Sequence, residues 1–162
     1  MISRKLSEKL NEQINKEIYS AYLYQDISNY YAVKGLKGFS KWFAIQAGEE
    51  LDHARKINGY LLDEGITPVL STIAAPGSRF ENLKAPLVAA YEHEKFITSS
   101  INDIFRAADE EEDYRTKRFL GWFIDEQAEE EKNASDLVTE YDLFGSTSQG
   151  LFMLDSKLGE RK

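Results

Sequence analysis

The chain has no cysteine among its 162 residues. Disulfides, thiolate-held zinc and cysteine-ligated iron are thereby excluded, and any metal must be held by oxygen or imidazole donors. Proline is nearly as scarce. Pro68, Pro76 and Pro86 are the only three, so the long blocks on either side of them run without a helix breaker. Methionine occurs only as Met1 and Met153. No stretch approaches the roughly 18 consecutive apolar residues of a membrane span, and the opening MISRKLSEKLNEQ has no apolar signal-peptide core. Cationic residues are in deficit, 20 against 28 acidic ones for a net charge of -8. That balance disfavours nucleic acid and anionic lipid as partners and favours cations. The expectation is one cytoplasmic domain spanning residues 1–162, with no nucleic-acid or membrane partner.

Four stretches, 5–33, 37–64, 84–111 and 114–143, carry apolar residues at alternating steps of three and four, the seam of helices packed in a bundle. Lys34-Gly35 separates the first two, an acidic turn separates the last two, and Gly145 closes the second block. LFMLDSKL (151–158) reads as a short fifth helix, with Ser146-Thr147-Ser148 as the candidate cap. Gly65–Leu83, 19 residues, is longer than a hairpin between helices needs. At about 3.3 Å per extended residue it can run the length of a helix and make the second and third helices parallel. The fold class is all-α: a four-helix bundle with one long crossover and a short C-terminal helix.

Each seam is interrupted near its middle by carboxylates or amides, and the interruptions repeat. Glu17 and Glu94, Glu50 and Gln127, His53 and Glu130, and Glu49 and Glu126 are each 77 residues apart. Glu17 to Glu50 and Glu94 to Gln127 both span 33 residues, so each pair straddles its own turn symmetrically, about 25 Å from it at 1.5 Å per residue. Folded as a bundle, Glu17, Glu50, His53, Glu94, Gln127 and Glu130 therefore meet at mid-height. Four carboxylates in one buried space must take up protons or find counter-charge, and two divalent cations would balance them. Any one of these residues alone reads as part of a solvated helix face. Six at matching heights on four seams point to a metal site, in which His53 follows Glu50 as an E-x-x-H ligand pair.

The phrases NEQINKEIYSAYLY (11–24), GLKGFSKWF (35–43), EELDHA (49–54), YEHE (91–94) and FLGWFIDEQAEEE (119–131) give nearly the whole chain a resemblance to the prokaryotic non-haem ferritins. The resemblance implies a ferritin-like bundle with a dinuclear iron centre, one iron on Glu17, Glu50 and His53 and the other on Glu50, Glu94 and Glu130. Glu50 bridges, and Gln127 hydrogen-bonds from behind the ligands. It also implies a third iron position at Glu49, Glu126 and Glu129, with Glu130 shared, although these residues lie one step round from the seam and read equally as a solvated face. Tyr24 matches a family tyrosine that passes an electron at the centre; Trp122 is a second aromatic with that role open to it, against simple packing for both. His93 reads as a surface residue. The run Asp109-Glu110-Glu111-Glu112-Asp113 reads as a solvated turn, or as a guide for iron near a pore.

Departures from relatives narrow the family further. Bacterioferritins carry a second E-x-x-H on the fourth helix and a haem-ligating methionine on the second, where this chain has Gln127/Glu130 and Asp52. Haem is therefore not expected. Cysteine-ligated iron of the rubrerythrin kind is impossible, and mini-ferritins, which build their site between subunits, lack this intrasubunit pattern. The function implied is oxidation of Fe(II) by dioxygen and storage of Fe(III) oxyhydroxide in a homo-oligomeric cage of 24 subunits. Two rivals are a dinuclear-iron oxidase or oxygenase acting on an organic substrate, which needs an apolar pocket beside the metals, and a metal-free helical interaction protein.

Overall fold

The computed structural model of the chain describes residues 1–77 and 79–162. Its elements are helical throughout: α1 (Arg4–Val33), α2 (Lys37–Asp63), α3 (Ala85–Glu110), α4 (Tyr114–Phe144) and α5 (Ser148–Leu158), with no strand among the described residues. The starts have local causes. The side chain of Ser3 accepts from the Leu6 amide at 3.1 Å, Asp113 from Thr116 at 3.0 Å and Thr147 from Gly150 at 3.0 Å, each satisfying an amide that a helix start leaves unpaired. In α3 a proline stands in the first turn, where its missing N–H removes no helical bond. The Thr147 cap starts α5 at Ser148, three residues before the segment that the apolar pattern marks, because the first turn is too polar to show a period.

Cross-helix contacts fix the directions. Tyr60 near the end of α2 stacks on Phe119 near the start of α4, with ring centroids 4.0 Å apart, and its hydroxyl lies 2.9 Å from that of Thr116. These two helices are therefore antiparallel. Since short turns join α1 to α2 and α3 to α4, α2 and α3 run parallel, and the connection between them must travel the length of the bundle. It does so along α1. Asn11 accepts from the Val69 amide at 2.8 Å, Asn15 donates to the Thr72 carbonyl at 3.0 Å, and Tyr31 donates to the Leu83 carbonyl at 2.7 Å.

The interior is two apolar cores with a polar layer between them. One end holds Leu6, Leu10, Ile57, Leu61, Ile101 and Leu120; the other holds Ile27, Tyr31, Phe39, Phe43, Leu87 and Leu137. Fully burying a side chain of this kind contributes about 1.5–3 kcal/mol, so both ends hold the middle closed even though the middle is polar. The second core is sealed by α5, whose Leu154 and Leu158 are buried in it. Gly38 allows this docking: a Cβ there would sit 1.7 Å from the Asp155 carbonyl oxygen, closer than any atom can come. Asp155 also accepts from the Phe39 amide at 2.9 Å through its side chain.

Candidate metal centre

Between the two cores, α1 supplies Glu17, α2 supplies Glu50 and His53, α3 supplies Glu94, and α4 supplies Gln127 and Glu130; all six are at least 96% buried. Their donor atoms form two overlapping groups, Glu17 with Glu50 and His53, and Glu50 with Glu94 and Glu130, each group within 4.8 Å. Glu50 belongs to both. The structure therefore brings the six residues together. His53 turns Nδ1 inward, 3.2 Å from Glu50 Oε2 and 4.0 Å from Glu17 Oε2.

Hydrogen bonds hold the carboxylates in place. Tyr24, fully buried, donates its hydroxyl to Glu94 Oε1, and Gln127 Nε2 donates to Glu94 Oε2 at 3.0 Å. Gln46 Nε2 donates to Glu50 Oε1 at 3.0 Å and to Glu130 Oε2 at 2.7 Å, linking α2 to α4 across the centre. Gln13 Nε2 donates to Glu17 Oε1 at 3.0 Å and is itself fixed by Ser100, whose hydroxyl donates to Gln13 Oε1 at 2.6 Å. The sequence motifs include neither Gln13 nor Gln46 among the site residues. A signal was present: each stands four residues before a ligand, Gln13 before Glu17 and Gln46 before Glu50, one helical turn away on the same face.

The electrostatics are those of an incomplete charge set. Burial, and then repulsion from Glu50, raises the Glu17 carboxyl well above the ordinary range; Glu50 is raised well above it by burial and by Glu94 and Glu130. Glu94 is raised by burial against the help of Tyr24 and Gln127, and Glu130 is pushed up to about 8 by burial and by Glu94. One oxygen is left over. Glu17 Oε2 is buried without a hydrogen-bond partner and faces Glu50 and His53. Two ionised carboxylates cannot bond each other, so this oxygen calls for a proton or a cation. Across the two groups, four carboxylates and one imidazole fit divalent first-row metals.

The remaining candidates are divided. Glu126 approaches the centre, 3.6 Å from His53 Nε2, and forms a third group with His53 and Glu130. Glu49 instead pairs with Arg161 at 2.9 Å, and Glu129 is exposed. Trp122 meets His53 edge-on at 5.5 Å, and the Lys56 ammonium lies over the Trp122 ring, 4.2 Å from its centroid. The acidic turn 109–113 is mostly exposed, and Asp113 within it caps α4. His93 differs from its expected surface position. The crossing of α3 on α1 half-buries it beside Tyr19, with its ring edge-on to Tyr24. Because the Ser20 hydroxyl donates to the Lys16 carbonyl at 2.9 Å, it accepts from His93 Nε2–H at 2.7 Å. Burial lowers the His93 pKa to about 4, so the ring is neutral near pH 7.

Comparison with known proteins places the chain in a class. Residues 7–144 match the family model of the ferritin-like domain. The chain belongs to the ferritin family. It is 39% identical to a probable bacterial non-heme ferritin-like protein of Haemophilus influenzae, over 98% of this chain and 96% of that protein. It is 35% identical, with the same coverage, to the bacterial non-heme ferritin of Escherichia coli. Among solved structures, an open-pore ferritin from the archaeon Archaeoglobus fulgidus superposes with a TM-score of 0.98 over the whole of both chains at 40% identity.

Proposed function

We propose that this chain is the ferroxidase subunit of an iron-storing homo-oligomer. Glu17, Glu50 and His53 receive one Fe(II), and Glu50, Glu94 and Glu130 receive the other. Each Fe(II) gives one electron to a shared dioxygen, which takes up two protons and leaves as hydrogen peroxide, and hydrolysis of the Fe(III) releases protons and yields an oxyhydroxide deposited in a cage. The observation that carries this reading is the pair of overlapping donor groups sharing Glu50, with an unpartnered oxygen of Glu17 in the first of them. Carboxylates suit the task because hard oxygen donors favour Fe(III) over Fe(II) and make the oxidation easier. The protein's own part is to keep the ligands aligned through Gln13, Gln46, Gln127 and Tyr24, and to give up carboxyl protons as iron enters.

The space beside the ligands supports small inorganic substrates. The cavity bordered by Tyr24, Gln46, Glu94 and Glu130 is about 10 Å³, against roughly 300 Å³ or more for an organic-ligand pocket. A metal-free helical protein would have no use for four buried carboxylates, each costly to keep in the core. The assembly proposed is a 24-subunit cage. It is supported by kinship with ferritins and by α5, which leaves Phe152 and Met153 exposed at 72% and 63%, apolar surface suited to a neighbouring subunit.

Stopped-flow mixing of Fe(II)-loaded protein with dioxygen, together with light scattering, tests both halves. Rapid oxidation of two irons per chain by a particle many times the 18.6 kDa subunit mass is expected. Slow oxidation at the buffer rate removes the enzyme reading. A particle that stays monomeric or dimeric at all concentrations removes storage and leaves the chemistry.

A further inference from the structure

The C-terminal tail places a cation beside the third iron position that the resemblance to non-haem ferritins implies. Arg161 lies along the first half of α2, its guanidinium 4.2 Å from the Trp42 ring centroid. Nη1 donates to the Trp42 carbonyl at 3.1 Å, and Nη2 donates to Gln46 Oε1 at 3.0 Å and to Glu49 Oε2 at 2.9 Å. The side chain is 19% exposed, so this is a docked group rather than a surface lysine-like cation. Gln46, whose other end holds Glu50 and Glu130, separates Arg161 from the two-metal ligands. Glu129 and Arg161 line the same groove between α4 and the tail. Up to Gly159 the tail is firmly held, by Asp155 on the Phe39 amide and by Lys41, which donates to the Gly159 carbonyl at 2.9 Å. Beyond it only Glu160, Arg161 and Lys162 need to move.

We propose that Arg161 is the resident counter-cation of the third position: it holds Glu49 in the two-metal state, and a third divalent cation binds only by displacing the guanidinium from Glu49. This rests on the third-position reading of Glu49, Glu126, Glu129 and Glu130. Glu126 already leans toward His53 and Glu130, whereas Glu49, the member held by Arg161, stands outside that ligand group. The tail thus makes the third position weaker than the first two by design of the chain, and frees it by the movement of three residues. A cation arriving there trades one charge-assisted pair for another, which makes its binding reversible.

The test is calorimetric titration of the assembled protein with Zn(II), which has no redox chemistry, in the parent, Arg161→Gln and Arg161→Lys. Loss of a charge-assisted pair predicts that the third Zn(II) binds on the order of tenfold more tightly in Arg161→Gln. Arg161→Lys stays near the parent, and the first two equivalents are unchanged in all three. In a Trp122→Phe background, which leaves Trp42 as the sole indole, the third equivalent shifts Trp42 emission, and Arg161→Gln abolishes that shift. An equal third affinity in parent and Arg161→Gln overturns the proposal while the third position stands. A change confined to the first two equivalents also overturns it, showing that Arg161 acts through Gln46. If every protein binds only two Zn(II), the third-position reading fails and takes the proposal with it.

Discussion

The two halves of the bundle, α1–α2 and α3–α4, repeat at 77 residues yet have not kept the same chemistry. Both contribute a glutamate from their first helix, Glu17 and Glu94, and both place a polar pair three residues apart on their second. The first half has Glu50/His53 where the second has Gln127/Glu130. The supporting groups diverge further. Gln13, Gln46 and Tyr24 face Ala90, Phe123 and Ile101 at the equivalent positions. The first half therefore holds the shared ligand, the imidazole, the bridging amide and the buried phenol, while the second supplies two carboxylates, one amide and apolar packing. The difference teaches that equivalent heights do not make equivalent donor groups. One is completed by an imidazole, and the other is carboxylate-only with its Glu94 held by Tyr24 from the opposite half.

The strongest way to break this picture is to remove the ligand common to both sites. Glu50→Ala is expected to lose rapid iron oxidation by more than the roughly 10–100-fold that loss of a supporting partner costs. The apo fold should melt no lower, since one buried carboxylate fewer relieves repulsion. Stopped-flow absorbance and calorimetry measure the two effects. Wild-type rates in this mutant would show that Glu50 is not shared. Its equivalent, Gln127→Ala, should keep two-iron binding with only the smaller loss.

Next in size is the asymmetry of the supporting amides. Gln46→Met removes the donor to both Glu50 and Glu130 while keeping the volume, and should weaken metal binding by roughly 10–100-fold. Gln127→Met, which unfixes Glu94 alone, should cost less. Equal effects in a metal titration would mean that the link from α2 to α4 is incidental.

The proton load of the centre gives a third measurement. Glu17, Glu50, Glu94 and Glu130 all have raised pKa values in the folded protein, Glu130 to about 8. The native state then binds more protons than the unfolded one between the ordinary carboxyl range and the raised value. Stability of the apo protein is complete below pH about 4.5 as far as Glu130 is concerned, and falls as pH rises toward 8. The slope is at most about 1.4 kcal/mol per pH unit for each such group. Metal-loaded protein should lose this slope and release protons on loading at pH 7. A melting temperature of the apo protein that rises steadily from pH 5 to 8 would contradict the burial of these carboxyls.

The smallest effect lies in the turns. Gly35 and Glu112 are equivalent in the repeat, and both adopt a left-handed backbone, φ 82° and 55°. Only the first half has the residue suited to it. Glu112→Gly should stabilise the chain by about 0.5–1 kcal/mol, and Gly35→Glu should destabilise it by a similar amount. Chemical denaturation of the pair checks the sign.

Much of this was legible in the residues. The four helices, the crossover and the meeting of Glu17, Glu50, His53, Glu94, Gln127 and Glu130 follow from seam periodicity and a constant offset, because helical rise converts spacing into height. The direction of side chains off the seam was not legible in the same way. Spacing gave His93 a position about 100° round from Glu94 and hence water, but the crossing of α3 on α1 covered that flank and gave the ring Ser20 as a partner. Likewise, nothing local to Glu49 distinguishes it from Glu126, yet one is taken by a residue 112 positions away and the other turns to His53.

By itself, then, the sequence determined which residues lie at the height of the centre, their chemical kind, and the absence of any thiolate donor, since helix geometry is local and composition is absolute. Tertiary structure decided which carboxylates share a partner and which oxygen is left without one. It also decided where the tail's cation rests. Those outcomes depend on how helices cross and how the last residues fold back, and contacts between groups remote in the chain are set by packing rather than by spacing.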